Sequence, residues 1–279
     1  MRRRACTGLV SVLILSLCSL PVFAETLVPT ISGNELTARI ELPGGLTADL
    51  TVTFENVVGL NPGSLAISAT AVNPGDLSLL SRLPKPGVSI PAGFPVVVRI
   101  EPSASSALSF EGVYKLSLYT NNLTLAPNSP LRLYRAPDGG AFAEMTGFLQ
   151  AGSVRAGGSG PGFSEFVIAA DTRTIDSVIA GKFDAAQSHL SGSWSSIQPA
   201  VAADLQQRLN QARAAYGSGA LAAAIDGVSG FADEVKKQSG TSIPNVWRAN
   251  GGPVNVAGLL RSAADTLKFS LAFKSNLAP

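Results

Sequence analysis

The chain has 279 residues, with 21 Lys or Arg, 19 Asp or Glu and a single histidine, His189. Charged residues make up 14% of the chain, against about 25% in an average soluble domain. The sequence has no long basic run, so it lacks the concentrated positive field on which nucleic-acid binding relies. We therefore expect no nucleic-acid partner.

The first 24 residues have the pattern of a secretory signal peptide. Three arginines at 2–4 precede an apolar run at 9–20, and an A-x-A-like cleavage site ends at Ala24, so the mature chain is expected to begin at Glu25. The apolar run is shorter than the roughly 20 residues that cross a bilayer as a helix. These features predict an exported protein, periplasmic or extracellular, with no transmembrane segment in the mature chain.

Cleavage would remove both cysteines, Cys6 and Cys18, together with three of the 21 basic residues. The mature chain would then have 18 basic and 19 acidic residues, and no thiol for a disulfide, a metal or nucleophilic catalysis. Its length is enough for two domains of about 100 to 200 residues each.

Residues 25–172 show the alternation of apolar and polar residues that half-buried β-strands require. The stretches 36–42 and 48–54 alternate on either side of Pro43-Gly44-Gly45, which predicts a hairpin. The glycine run 157–160 is expected to form a flexible hairpin tip. Five further short runs, separated by Pro and Gly turns, complete seven expected strands of an antiparallel β-sandwich: 65–72, 94–100, 113–119, 131–135 and 163–169.

Residues 173–279 change to the period of amphipathic helices, with apolar residues three or four positions apart. Each apolar stripe covers one helix face and needs neighbours to bury it, so the pattern predicts a bundle of three or four helices. The expected segments begin at Ile175, at Pro199, at about Gly219 and at about Val254.

The helical half shows alanine-rich helices paired across a glycine turn. The positions that carry this pattern are Leu205, Leu209, Ala212, Ala215, Gly219, Ala224, Ile225, Val228, Phe231, Val235, Gly240, Ile243, Leu259, Leu260, Ala263 and Ala264. The pattern resembles the FIMAH-type domain, a small helical module near the C-termini of secreted prokaryotic proteins. The connection 244–255 is longer than that resemblance implies.

The end of the β half has Leu131-Arg132-Leu133-Tyr134, a charged turn, the run 142–146 and then the run 163–169. This order is similar to the closing strands of Ig-like sandwiches in bacterial surface and secreted proteins, which mostly present surfaces or act as spacers. The expected fold class is therefore a two-domain all-β plus all-α chain. A signal peptide at 1–24 is followed by an Ig-like sandwich at 25–172 and a FIMAH-like helical bundle at 173–279.

No motif in the sequence indicates a reaction. His189 lies five positions from Asp184, whereas residues that face each other on a helix are three or four apart. Ser159, in a Gly-Gly-Ser-Gly run, lacks the serine-hydrolase pattern, and the acidic residues are not spaced as metal ligands. We expect no catalytic residue, no metal and no cofactor. A carboxylate-dependent hydrolase stays open, because its acidic pair can come from distant positions.

Five aromatic residues, each with an apolar ring and a polar atom, are the candidate ligand contacts. They are Tyr114, Tyr119, Tyr134, Trp194 and Trp247. The sequence as a whole predicts an exported, non-catalytic binding or structural protein whose partner is an envelope or extracellular protein, or a glycan. A carbohydrate-binding module, with these rings stacked on sugars, is the main alternative.

Overall fold

The structure is a computed structural model that describes residues 24–103, 105–126, 128–137, 139–150, 152–252 and 254–277. The expected signal peptide lies outside the described residues, apart from Ala24 at its expected cleavage site. Ala24 is the first residue of the first strand.

The described residues form fourteen strands and five α-helices, with a short 3-10 helix at Trp194–Ser196. The strands are β1 (Ala24–Leu27), β2 (Thr30–Ser32), β3 (Glu35–Leu42), β4 (Leu46–Val58), β5 (Leu65–Ala71), β6 (Val88–Ser89), β7 (Val96–Pro102), β8 (Ser109–Leu125), β9 (Leu131–Ala136), β10 (Ala143–Glu144), β11 (Phe148–Gln150), β12 (Gly152–Gly160), β13 (Glu165–Asp171) and β14 (Val246–Arg248). The helices are α1 (Leu77–Ser81), α2 (Ile175–Gly192), α3 (Pro199–Gly217), α4 (Leu221–Gln238) and α5 (Val256–Leu277).

The strands form two seven-stranded sheets. The first has the order β1-β5-β7-β13-β9-β10 with β6 beside β13, and the second has the order β11-β12-β8-β4-β3-β2 with β14 beside β8. The pairings between the strands are antiparallel. One apolar core contains buried side chains from both sheets, so the two sheets pack face to face.

The hairpin expected around Pro43-Gly44-Gly45 is confirmed by the pairing of β3 with β4, in which Leu42 lies opposite Leu46. The alternation works as the sequence indicates, because the apolar residues of both strands point into the core between the sheets. Gly44 and Gly45 have φ values of +81° and +73°, a conformation that favours glycine and turns the chain here.

Helices α2 to α5 share a second apolar core, which explains their spacing of apolar residues. Asn255 caps the first turn of α5, because its Oδ1 atom accepts a hydrogen bond of 2.8 Å from the backbone N–H of Gly258. The same side chain donates from Nδ2 to the carbonyl oxygen of Gly112 in β8, at 2.6 Å. The start of α5 is therefore fixed to the second sheet.

The expected fold class, a separate sandwich followed by a separate helical bundle, is wrong. The connection between α4 and α5 forms β14, which pairs with β8 and places the ring of Trp247 5.1 Å from that of Phe110. A strand from the helical half thus completes a sheet of the β half. The molecule is a mixed α/β fold in which sheets and helices share an interface.

The glycine run at 157–160 is also not a hairpin tip. It lies in β12, paired with β8 along its length, and its residues are buried. A Cβ atom on Gly157 would collide with the ring of Phe148, and one on Gly160 would collide with the ring of Tyr114. Glycine is present here because neighbouring groups occupy the space that side chains would need.

The resemblance of the helical half to the FIMAH-type domain stays a prediction. Among the helices of the described residues, none is long and apolar enough to span a membrane.

Candidate binding site

A cavity of about 300 Å³ lies where the sheets meet the helices. Its wall combines residues of β9, β10 and β12 with one face of α2 and one face of α5, and the wall is more apolar than polar. Ligand sites in proteins are concave, mostly apolar and about 300 to 1,000 Å³ in volume. The cavity is therefore large enough for a small organic molecule.

Helix α5 forms its side of the cavity because it approaches the second sheet closely. Gly258 lies so near the carbonyl oxygen of Gly112 that a Cβ atom would collide with it. Two turns further along, the hydroxyl of Ser159 in β12 donates a hydrogen bond of 2.6 Å to Asp265 in α5. The bidentate ion pair between Arg261 and Glu55, with both N–O distances at 2.6 Å, holds the same helix against β4.

Helix α2 forms the opposite side, and a buried ion pair connects it to β10. The Nζ atom of Lys182 lies 2.9 Å from Oε2 of Glu144, and both side chains are less than a tenth exposed. Lys182 also donates to the backbone oxygen of Thr266 at 3.0 Å and to the hydroxyl of Ser270 at 2.7 Å. Two of its donors thus form hydrogen bonds to α5, while its charge faces the carboxylate of Glu144.

Burial lowers the pKa of Lys182, and the carboxylate of Glu144 acts in the opposite direction by stabilising the ammonium form. Arg132 lies behind the pair, with Nε 3.8 Å from Glu144 and its guanidinium 4.4 Å from the ring centre of Phe273. One carboxylate therefore serves two cations in this part of the wall.

A second charged group at the cavity is Arg173, which is bound to Asp171 at the end of β13. Asp171 accepts hydrogen bonds of 2.7 Å from Arg173 and 2.6 Å from the hydroxyl of Tyr134. Burial alone would raise the pKa of Asp171, but these hydrogen bonds outweigh it, and the pKa lies below its ordinary value. The charge of Arg173 is therefore neutralised by the carboxylate of Asp171.

Arg135 reaches the cavity from β9 and has no acidic partner among the residues that the structure describes. Its Nε atom is buried and lacks a hydrogen-bond partner within that part of the chain. Its guanidinium lies near the hydroxyl of Tyr114, where burial raises the tyrosine pKa to about 12 and the Arg135 charge acts in the opposite direction. The cation thus faces a neutral group.

His189, near the end of α2, lines the same cavity. Burial lowers the pKa of its imidazole, and the charge of Arg135 lowers it further. The imidazole is therefore neutral near pH 7, able to donate one hydrogen bond and accept another. Asp184, the carboxylate closest to it on the helix in sequence, forms an ion pair with Arg213 instead.

The cavity does not assemble a familiar hydrolytic centre. Ser159 and His189 both line it, but Asp265 bonds to the serine, whereas in a serine hydrolase the carboxylate orients the histidine. Glu144 is the one carboxylate among the described lining residues, so a glycosidase-like acidic pair is not present in that wall. Nor do the described residues contain a cluster of His, Cys, Asp or Glu that could hold a metal ion.

The five aromatic candidates are not brought together as one ligand surface. Tyr114 and Tyr134 are buried, so neither ring has a free face for a sugar. Trp247 and Tyr114 both contact Phe163 in the aromatic cluster of the core. Tyr119 lies under Arg155 on β12, and Trp194, 40% exposed, follows α2. The described wall of the cavity contains none of the five.

Sequence reasoning missed Arg135, Glu144 and Lys182. A signal for Lys182 exists, because it lies four and three positions after Val178 and Ile179 on the apolar stripe of α2. Glu144 and Arg135 carry no comparable local pattern, since the pairing of β9 with β10 determines where they lie.

Fold and site together define a mixed α/β protein with a partly open, cation-lined cavity between its sheets and its helices. The profile of a family of unknown function, DUF6689, matches residues 12–275, and the chain belongs to this family. A search of curated proteins found no match, and a search of solved structures found none either.

Proposed function

We propose that this protein is an exported, non-catalytic binding protein that holds a small organic molecule in the cavity between β9, β10, β12, α2 and α5. The observation that carries the proposal is the cavity itself, which has a mostly apolar wall and a few polar groups directed into it. Such a combination is the usual form of a small-molecule site. The export part of the proposal rests on the basic and apolar pattern at the start of the chain.

Binding without bond-making is favoured by the state of the ionisable groups. A nucleophilic or basic lysine needs a free amine, whereas Lys182 forms two hydrogen bonds to α5 and an ion pair with Glu144. That pair connects α2 with β10 and α5, which makes it a support for the cavity. The groups left for a ligand are Arg135, His189 and the apolar surface.

Filling the cavity tests the proposal. Gly181 lines it from α2, and a Cβ atom added there meets no other atom within 4 Å. Gly181→Leu therefore places a side chain at the cavity without a clash and adds about 0.5 to 1 kcal/mol of helix propensity. We expect the purified protein to bind the neutral fluorescent probe N-phenylnaphthylamine saturably, and Gly181→Leu to lose this binding while it unfolds at an equal or higher temperature.

The matched control is Gly192→Leu, at the end of the same helix, where an added Cβ also meets nothing within 4 Å. Gly192 is not among the residues that line the cavity, so this variant should bind the probe as the unaltered protein does. Equal probe binding by the Gly181→Leu variant would contradict the proposal. Turnover of an ester, peptide or glycoside that Glu144→Gln abolishes would contradict its non-catalytic part.

A further inference from the structure

The charges around the cavity do not cancel, and the excess is positive. Lys182 and Arg132 share the carboxylate of Glu144, and Arg173 has that of Asp171. Arg135 has no acidic partner among the described residues, and the neighbouring imidazole of His189 supplies no negative charge. Of the cations in the described wall, Arg135 is thus the one with no carboxylate beside it.

The buried Nε atom of Arg135 shows that this guanidinium is incompletely paired within the described residues. A buried N–H group without a partner costs about 1 to 3 kcal/mol, and more when the group is charged. Buried polar groups in native proteins almost always have a partner, whether from protein, water or ligand. Solvent does not reach the Nε atom, so a ligand in the cavity would contact the rest of the guanidinium and offset its charge from there.

We propose that the cavity takes a small organic carboxylate, with its carboxylate group on Arg135 and its apolar body against Leu259 and Ala263. This inference rests on the proposed function and adds the chemical class of ligand. A planar guanidinium presents its donors in a fork that matches a carboxylate bidentately. Arg135 is the cation of the described wall that has no carboxylate beside it, and the leucine and alanine of α5 provide the apolar surface.

The test compares three ligands that share one carbon skeleton: phenylbutyrate, its neutral amide phenylbutyramide, and the cation phenylbutylamine. Their dissociation constants are measured by titration calorimetry with the purified protein. We expect phenylbutyrate to bind about tenfold or more tightly than the amide, since the carboxylate brings a full negative charge and accepts two parallel hydrogen bonds from the guanidinium, whereas the amide has one neutral oxygen. The amine should bind most weakly.

Substitution of Arg135 tests whether this arginine causes the preference for the carboxylate. Arg135→Met keeps most of the apolar stem and removes the charge, so carboxylate and amide should bind with similar affinity, and the amide should lose much less affinity than the carboxylate. Retained amide binding shows that the variant is folded with its cavity intact. Arg155→Met, which removes a cation from β12 that lies over Tyr119 outside the cavity wall, should keep the full preference for the carboxylate.

The outcomes separate this inference from the function on which it rests. Saturable binding of the three ligands with equal affinity would overturn the carboxylate preference and leave small-molecule binding standing. A preference that survives Arg135→Met would overturn the role of this arginine. Failure of each ligand to bind, together with failure of N-phenylnaphthylamine, would overturn both proposals.

Discussion

The core between the two sheets and the interface between sheets and helices are built differently. In the first, aliphatic and aromatic side chains fill the space, and the rings of Phe54, Phe110, Tyr114 and Phe163 touch one another at centroid distances of 5.2 to 6.3 Å. The second contains buried or partly buried ion pairs, side-chain hydrogen bonds and a cavity of about 300 Å³.

The apolar core between the sheets therefore contributes mainly to stability, and the interface between sheets and helices contributes mainly to specificity. Close apolar packing is the main source of folding free energy, and it leaves no room for a ligand. Charged pairs contribute less net stability because their desolvation offsets much of their attraction, but they fix the position of one element against another. The interface is therefore where a binding function is expected, and the two regions should respond differently to substitution.

The largest effect is expected in the core between the sheets. Phe166, in β13, is fully buried there and lies edge-on to Tyr114. Phe166→Ala should lower the free energy of unfolding by about 3 to 5 kcal/mol, through lost transfer energy and the cavity that remains. Urea unfolding followed by circular dichroism measures the loss, and Phe166→Leu should lose much less. A loss as small as that of an exposed substitution would refute the assignment of stability to this core.

The interface ion pair should behave as a unit. Lys182→Met leaves the carboxylate of Glu144 buried, with Arg132 3.8 Å away as its remaining cation, and should cost about 3 kcal/mol. Glu144→Gln alone leaves Lys182 and Arg132 without their shared carboxylate, so the double variant should lose less stability than the sum of the two single losses. The same urea experiment on a double-mutant cycle checks this, and strictly additive losses would show that the two residues do not interact.

The smallest effect is expected at the tyrosine beside the interface, and it should depend on pH. Tyr134→Phe removes the 2.6 Å hydrogen bond to the ionised Asp171 and should cost about 1.5 to 3 kcal/mol at neutral pH. Because folding depresses the pKa of Asp171, its stabilisation is complete above the ordinary value of 3.8 and is lost as the pH falls through the folded-state pKa.

Unfolding in urea at neutral pH and at steps below pH 3.8 should therefore show the difference between Tyr134→Phe and the unaltered protein shrinking as acid is added. Tyr119→Phe is the matched control, since its hydroxyl bonds to exposed Asn121 and its loss should change stability little at any pH. A Tyr134→Phe deficit that stays constant with pH would contradict the role of the aspartate.

Local pattern predicted the elements of this molecule far better than their assembly. The hairpin of β3 and β4 and the helices from Ile175 and Pro199 follow from residue spacing, because alternation and the 3.6-residue period reflect burial of one face. Strand β14 has only three residues, which is too short to show a period. Its pairing with β8 is decided by the contact of Trp247 with Phe110, which no local pattern contains.

The candidate site could be predicted less well from the sequence than the helices and strands, for the same reason. Lys182 could have been suspected from its place on an apolar stripe, but its partner Glu144 lies on a two-residue strand distant in sequence. The cavity itself is a property of how α2 and α5 pack on β9, β10 and β12. A cavity of this kind has no sequence signature, because its size and position depend on how elements distant in sequence pack together.

Strand β14 also has a consequence for the order of folding. Val246 to Arg248 pair with Ser109 to Glu111 in β8, and helices α2, α3 and α4 lie between the two segments in sequence. Contacts between such distant segments form slowly, because a long loop must close first. The second sheet is therefore completed only after the three helices between β8 and β14 have been synthesised.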